Sequence, residues 1–290
     1  MQGILANPTT SKDSCVPLDA KRSMAKSRSP LCTFDLERIV VDTDVHYVEY
    51  HDELKSTNTT AVELLGPLLD NAPALVLTSN QTSGRGRKGN QWWSSGGALT
   101  FSWVVDAAQL PVTVERRSMV SLAAGLAVRD ALLDMLPDYP FVLKWPNDVL
   151  IGDRKVCGIL VEQHSVAQRQ GVIIGIGVNV NNSLRDAPVE IAQRATSLFD
   201  LEGRSFDLSS LLIVILQRLT HRINQLMTQP RLALAEMNYH NVLTGRIVSL
   251  QTGDATITGL CVGVDDEGQL VLQTELQLHR CVSGTVVKWD

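Results

Sequence analysis

Apolar and polar positions along the chain fall into short runs separated by polar or glycine-rich links, with a few longer helical stretches between them. His46 to His51 alternates with the period of a half-buried strand and ends in the polar Lys55-Ser56-Thr57-Asn58. Ser56 or Thr57 then suits the N-cap of a helix over Thr59 to Leu69. Ala74 to Leu77 predicts a second strand, feeding the octet Ser83 to Asn90, and Ala98 to Val105 predicts a third. Ser118 to Leu136 reads as a long apolar helix stopped by Pro137. Phe141 to Lys144, Lys155 to Glu162 and Val172 to Val180 are further strands, and their short polar links predict antiparallel pairing.

Asp207 to Met227 and Arg231 to Tyr239 carry the spacing of amphipathic helices. After Asn241 the pattern changes to short strands over Arg246 to Leu250, Ala255 to Val264, Leu270 to Gln273 and Cys281 to Val287, punctuated by glycines. That pattern predicts a small all-β barrel. The division is therefore a weakly ordered leader over 1–44, a main domain over 45–240 and a β domain over 241–290.

At 290 residues and a formal net charge of -5, the chain has no global positive field for non-specific nucleic-acid binding. Cys15, Cys32, Cys157, Cys261 and Cys281 have no C-x-x-C spacing, which argues against a zinc site or disulfide framework and for a reducing compartment. The longest apolar runs, such as Leu211 to Leu216, fall far short of a membrane span. The expected location is cytoplasmic; a mitochondrial address in the leader stays open.

The basic octet, written SGRGRKGN, matches two phosphate motifs and completes neither. Gly84, Gly86 and Gly89 have dinucleotide-fold spacing, but no helix start follows to receive a pyrophosphate. Gly84 and Gly89 have P-loop spacing, but Asn90-Gln91 stands where Lys-Ser/Thr is required. Taken alone, the octet reads equally as a solvated turn, and an RNA-clamping segment is a further reading.

Two other stretches change this balance: Lys144-Trp145-Pro146-Asn147-Asp148, placed in a loop, and Lys155-Val156-Cys157-Gly158-Ile159-Leu160-Val161-Glu162. Together with the octet, Ser56-Thr57-Asn58 and Gly175-Ile176-Gly177-Val178-Asn179, they resemble the biotin protein ligase family over about Tyr50 to Asn182. The resemblance implies an α+β fold: a mixed, largely antiparallel sheet with flanking helices, and a small C-terminal SH3-like barrel. It implies ATP-dependent formation of biotinyl-5'-AMP, then transfer of biotin to one lysine of a biotin carboxyl carrier domain. Biotin, ATP and Mg2+ are the small molecules implied. A lipoate or octanoate ligase or transferase, and a non-catalytic binding module, are the alternatives.

The resemblance carries over residue by residue. Lys155, Arg85 and Arg87 take catalytic positions. Ser56, Thr57, Asn58, Gln81, Gly84, Gly86, Trp92, Gly158 and Ile159 join those three at the biotin site. Arg87, Trp93, Asn147, Lys155 and Asn179 face the nucleotide, and Asp148 is a candidate metal ligand. Each residue has an ordinary alternative: strand-edge lysine, solvated arginine, helix cap, core aromatic, or, for Asp148, a brace for Lys155. Fewer than 50 residues precede the first strand, without two amphipathic helices, so operator-DNA binding is not expected. Neither the oligomeric state, a homodimer included, nor the carboxylase acceptor is legible.

Overall fold

The computed structural model describes residues 34–110, 117–185 and 187–290. Most of the expected leader lies outside the described residues. Its end does not: α1 (Leu36–Asp42) is helical, with Leu36, Ile39 and Val40 buried. Asp35 caps it by accepting from Arg38 N, and the Asp35 N–H donates to Ser209 Oγ at 2.9 Å. The boundary expected at residue 44 thus passes beyond an ordered helix that belongs to the core.

The main body is a seven-stranded sheet. Its strands are β1 (Tyr47–Leu54), β2 (Ala74–Gln81), β5 (Leu99–Asp106), β6 (Phe141–Lys144), β7 (Asp148–Ile151), β8 (Arg154–Val166) and β9 (Arg169–Val178), in the order β1-β2-β5-β9-β8-β7-β6. β3 (Gly84–Arg85) and β4 (Gln91–Trp92) form a separate two-stranded ribbon. β1 and β2 are parallel, which requires a crossover; α2 (Thr57–Glu63) and α3 (Leu65–Asp70) supply it. The single helix expected there is two, parted at Leu64, and Pro67 is tolerated in the first turn of the second. All other pairs in the sheet are antiparallel, and for β8 with β9 the short polar link predicted it. β7 was not expected: the KWPND stretch is a tight turn through the cis peptide Trp145-Pro146, and Asp148 already belongs to the next strand.

One face of the sheet packs on α4 (Arg117–Met135) and α7 (Leu208–Thr228). On α7 the buried Leu211, Ile215 and Leu219 recur every four residues, one stripe of a helix. α4 packs against it and carries the buried small residues Ala123, Ala124, Ala127 and Ala131. The other face holds a smaller cluster with Ala61, Leu65, Leu68 and Ile173. Two short helices, α5 (Val189–Arg194) and α6 (Leu198–Glu202), link β9 to α7, and α8 (Pro230–His240) leads to the C-terminal domain.

That domain is a five-stranded antiparallel sheet: β10 (Ile247–Thr252), β11 (Ala255–Val264), β12 (Leu270–Gln273), β13 (Leu278–Cys281) and β14 (Thr285–Trp289), in the order β13-β12-β11-β10-β14. The one strand expected over Cys281 to Val287 is two strands on opposite edges, and the ladder stays open between them. Trp145, buried in the main body, donates from Nε1 to the Gly268 carbonyl at 3.0 Å and ties the domains together. No described helix is long and apolar enough to cross a membrane.

Candidate functional site

A cavity of about 190 Å³ opens above the sheet beside α2. Its floor is made by missing side chains. Successive strand residues face opposite ways, so Gly175 and Gly177 share one face of β9, and Gly158 pairs with Gly177 across β8. A Cβ on Gly177 would sit 2.5 Å from Trp92 Cε2, and one on Gly158 would sit 2.8 Å from Lys155 Nζ. A Cβ on Gly175 would fall 2.0 Å from Asn58 Oδ1. The glycines are therefore required so that Trp92, Lys155 and Asn58 can lie against bare backbone.

The start of α2 forms one wall. Ser56 is its N-cap residue, but its side chain makes no capping bond, so the hydroxyl is not consumed by the helix. The Thr57 N–H and hydroxyl both point at Gln81 Oε1, at 2.8 and 3.3 Å. Asn58 accepts from Ser102 Oγ at 2.6 Å and donates to Glu162 Oε2 at 2.8 Å. These polar groups are almost fully buried, which is costly unless each is bonded and oriented.

Cations form the opposite chemistry. Lys155 Nζ stands 2.6 Å from Asp148 Oδ1, a close charge contact rather than an aligned hydrogen bond, and 5.6 Å from the centroid of the Trp92 ring. Arg85 donates to both oxygens of Glu162. Arg87 reaches only the Asn147 amide oxygen, at 3.5 Å, and Asn147 is fixed by its own bond to the Ile159 carbonyl. Burial lowers the Arg87 pKa, partly opposed by the charge of Asp148. Lys144 lies beside them, its pKa also lowered first by burial. Beneath Lys155, full burial pushes the Cys157 thiol up, so it offers no thiolate at neutral pH.

Arg85, Arg87 and Lys155, distant in sequence, thus line one cavity with Ser56, Thr57, Asn58, Gln81, Gly86, Trp92, Asn147, Asp148, Gly158 and Ile159. Three expected residues do not line it. Gly84 sits at the loop base, where a Cβ would meet the Trp92 carbonyl oxygen at 2.5 Å. Trp93 follows β4 outside the lining. Asn179 is buried at the end of β9, accepting from Asn182 Nδ2, so the glycines before it rather than its amide reach the cavity. For Asp148, the structure supplies an ammonium partner, and the described residues hold no group of three metal-binding side chains. The lone carboxylate against Lys155 does not make a protein-built metal centre.

Sequence reading assigned no role to Lys144 and Glu162, although Lys144 opens one motif and Glu162 closes the other. It also passed over Gly284, Thr285 and Val286, which close the cavity from the C-terminal domain and carry no one-dimensional signal.

A profile of the Biotin/lipoate A/B protein ligase family matches residues 50–179, and one of the Biotin protein ligase C terminal domain matches residues 243–289. The bifunctional ligase/repressor BirA of Bacillus subtilis is 33% identical over 243 residues, covering 82% of this chain and 72% of that protein. A biotin--[acetyl-CoA-carboxylase] ligase of Mycobacterium tuberculosis is 34% identical over 244 residues, covering 81% of this chain and 88% of its own. The solved biotin protein ligase from Aquifex aeolicus, in complex with biotin and ATP, aligns with a TM-score of 0.71 at 30% identity over 84% of this chain and 98% of that one. With both profiles in order along one fold, the chain belongs to the biotin protein ligase family.

Proposed function

We propose that this chain joins biotin to ATP as biotinyl-5'-AMP and then transfers the biotinyl group to a lysine of a carrier domain on a biotin-dependent carboxylase. The observation that carries the reading is one cavity with two chemistries: neutral hydrogen-bonding groups from α2 and β2, and the cations Arg87 and Lys155 from the loop and β8. The first group suits the ureido end of biotin, and the bare glycine floor suits its apolar body.

In the first step a biotin carboxylate oxygen attacks the α-phosphorus, and the α–β bridging oxygen leaves with pyrophosphate. Two anions must approach, and Lys155 lies where one ammonium can contact both, lowering their repulsion. Asp148 orients that ammonium. Arg87 holds the α-phosphate with its planar fork. In the second step the carrier lysine amine attacks the acyl carbon, and AMP departs. The bonds broken are a phosphoanhydride and then a mixed acyl-phosphate anhydride, and the amine's surplus proton passes to water, so no side-chain nucleophile is needed, consistent with the protonated Cys157. Mg2+ would screen the triphosphate charge when bound with it.

The test is labelled-biotin transfer from MgATP to a purified carrier domain. One label per carrier, with pyrophosphate released, is expected. Lys155→Ala should slow pyrophosphate release about a hundredfold while biotin binding persists. Transfer of lipoate in preference to biotin, or no transfer, overturns the reading.

A further inference from the structure

The cations around the cavity are not equivalent. Lys155 is matched by Asp148 and Arg85 by Glu162. Lys144 is matched by no carboxylate among the described residues. Its ammonium lies 3.9 Å from the centroid of the Trp289 ring, on the last strand of the C-terminal domain. The nearest charges felt by it are mixed, Asp148 and Asp153 against Lys155 and Arg194, and burial outweighs them all. A partly desolvated ammonium packed on an aromatic face, with no carboxylate in ion-pair contact among the described residues, is a costly arrangement in an empty protein. An incoming anion would offset that cost.

The position limits which anion. Lys144 ends β6, one turn from Asn147, which touches Arg87. It lines the cavity together with Gly284, Thr285 and Val286 of the C-terminal domain, and its contact with Trp289 places it at the junction of the two domains. Beyond an α-phosphate at Arg87 and Lys155, an adenylate-forming reaction needs one more place, for the departing β- and γ-phosphates.

We propose that Lys144 and the C-terminal strand bearing Thr285 and Trp289 form a pyrophosphate subsite, in which Lys144 binds the leaving group and Trp289 holds the ammonium in place. This rests on the adenylation reading above. When the α–β bond breaks, negative charge grows on the bridging oxygen and passes to pyrophosphate. A fixed ammonium there stabilises the leaving group and has no part in the later attack on the acyl carbon. Through Trp289 and the residues beside it, the C-terminal domain thereby contributes to the first half-reaction.

The two half-reactions separate the possibilities. The full chain is assayed for biotinyl-AMP formation from biotin and MgATP, and for carrier biotinylation from supplied biotinyl-AMP. Inorganic pyrophosphate binding is measured by calorimetry. Lys144→Ala should slow adenylate formation about ten- to a hundredfold and weaken pyrophosphate binding comparably, with transfer from supplied biotinyl-AMP unchanged. Lys144→Arg should restore most of the loss. Trp289→Leu, an edge-strand change that keeps the lysine but frees its ammonium, should show a smaller loss in the same half-reaction. Equal loss in both half-reactions, or unchanged pyrophosphate binding in Lys144→Ala, overturns the subsite. Failure of the unaltered chain to form biotinyl-AMP from biotin and MgATP would instead remove the adenylation reading beneath it.

Discussion

Arg85 and Glu162 form a two-pronged pair, with the guanidinium nitrogens 3.2 and 2.8 Å from the two carboxylate oxygens. Glu162 Oε2 also accepts from Asn58. The same carboxylate therefore pins the glycine loop and the buried amide at the start of α2. In the empty protein Arg85 is held by a carboxylate rather than waiting for phosphate, so the catalytic position expected for it requires this pair to exchange first.

Glu162→Ala should release the loop without unfolding the protein. Arg85 is 45% exposed, so the pair contributes only about 0–1 kcal/mol to global stability. Trypsin should nevertheless cut after Arg85 several-fold faster, and Glu162→Gln, which keeps one acceptor, should fall between. Equal cleavage in all three proteins would leave the loop held by something else.

The glycine floor can be filled one position at a time. Gly175→Ala places a methyl group against Asn58, which Ser102 and Glu162 hold in position. It should cost about 1–3 kcal/mol in urea unfolding, by overpacking, and weaken biotin binding about tenfold or more in calorimetry. Gly66→Ala is the control, since its nearest neighbour would be Val166 Cγ2 at 3.9 Å; it should leave biotin affinity unchanged. A folded Gly175→Ala protein with normal biotin affinity would place the ligand away from Asn58.

Arg87→Gly should retain adenylate formation better than adenylate retention. The guanidinium is partly desolvated and, among the described residues, makes no ion-pair contact with a carboxylate; the charge of Asp148 only partly offsets its burial. One charge-assisted contact to phosphate is lost, so free biotinyl-AMP should appear about ten- to a hundredfold faster in rapid-filtration release measurements. An unchanged release rate would argue against a phosphate clamp.

Alkaline pH offers a test remote from the cavity. Tyr47 is raised from 10.0 to about 12, first by burial and then by its hydrogen bond to Glu49. The folded state holds this proton more tightly than the unfolded state. Its contribution is thus fully present below about 10 and is lost as pH rises from about 10 to 12. Urea midpoints should fall more steeply across that window in the parent than in Tyr47→Phe. Parallel curves would mean that Tyr47 titrates normally.

Much of the site was legible because it is built from short contiguous motifs. Glycines mark places where backbone is left bare, and the cations of SGRGRKGN and KVCGILVE have few other reasons to stand beside them. What the sequence left unresolved followed from pairing. Asn179 stands out as a polar residue after a strand, yet its partner Asn182 is three residues on and turns it inward. Trp92 and Trp93 are indistinguishable in sequence; the ribbon of β3 and β4 lays one across Gly177 and leaves the other outside. Glu162 looked like the end of a strand because its partners, Asn58 and Arg85, lie 104 and 77 residues away.

The sequence by itself determined most of the strands, the long helices, the antiparallel pairing of β8 with β9 and which stretches carry chemistry, since periodicity and local composition are properties of neighbouring residues. Tertiary structure alone decided that β1 and β2 run parallel, that β13 and β14 part to opposite edges, and that Lys144 meets Trp289 across the domain junction. Those outcomes depend on which surfaces are buried against each other once the chain has closed. No local pattern encodes a contact whose two halves are separated by more than a hundred residues.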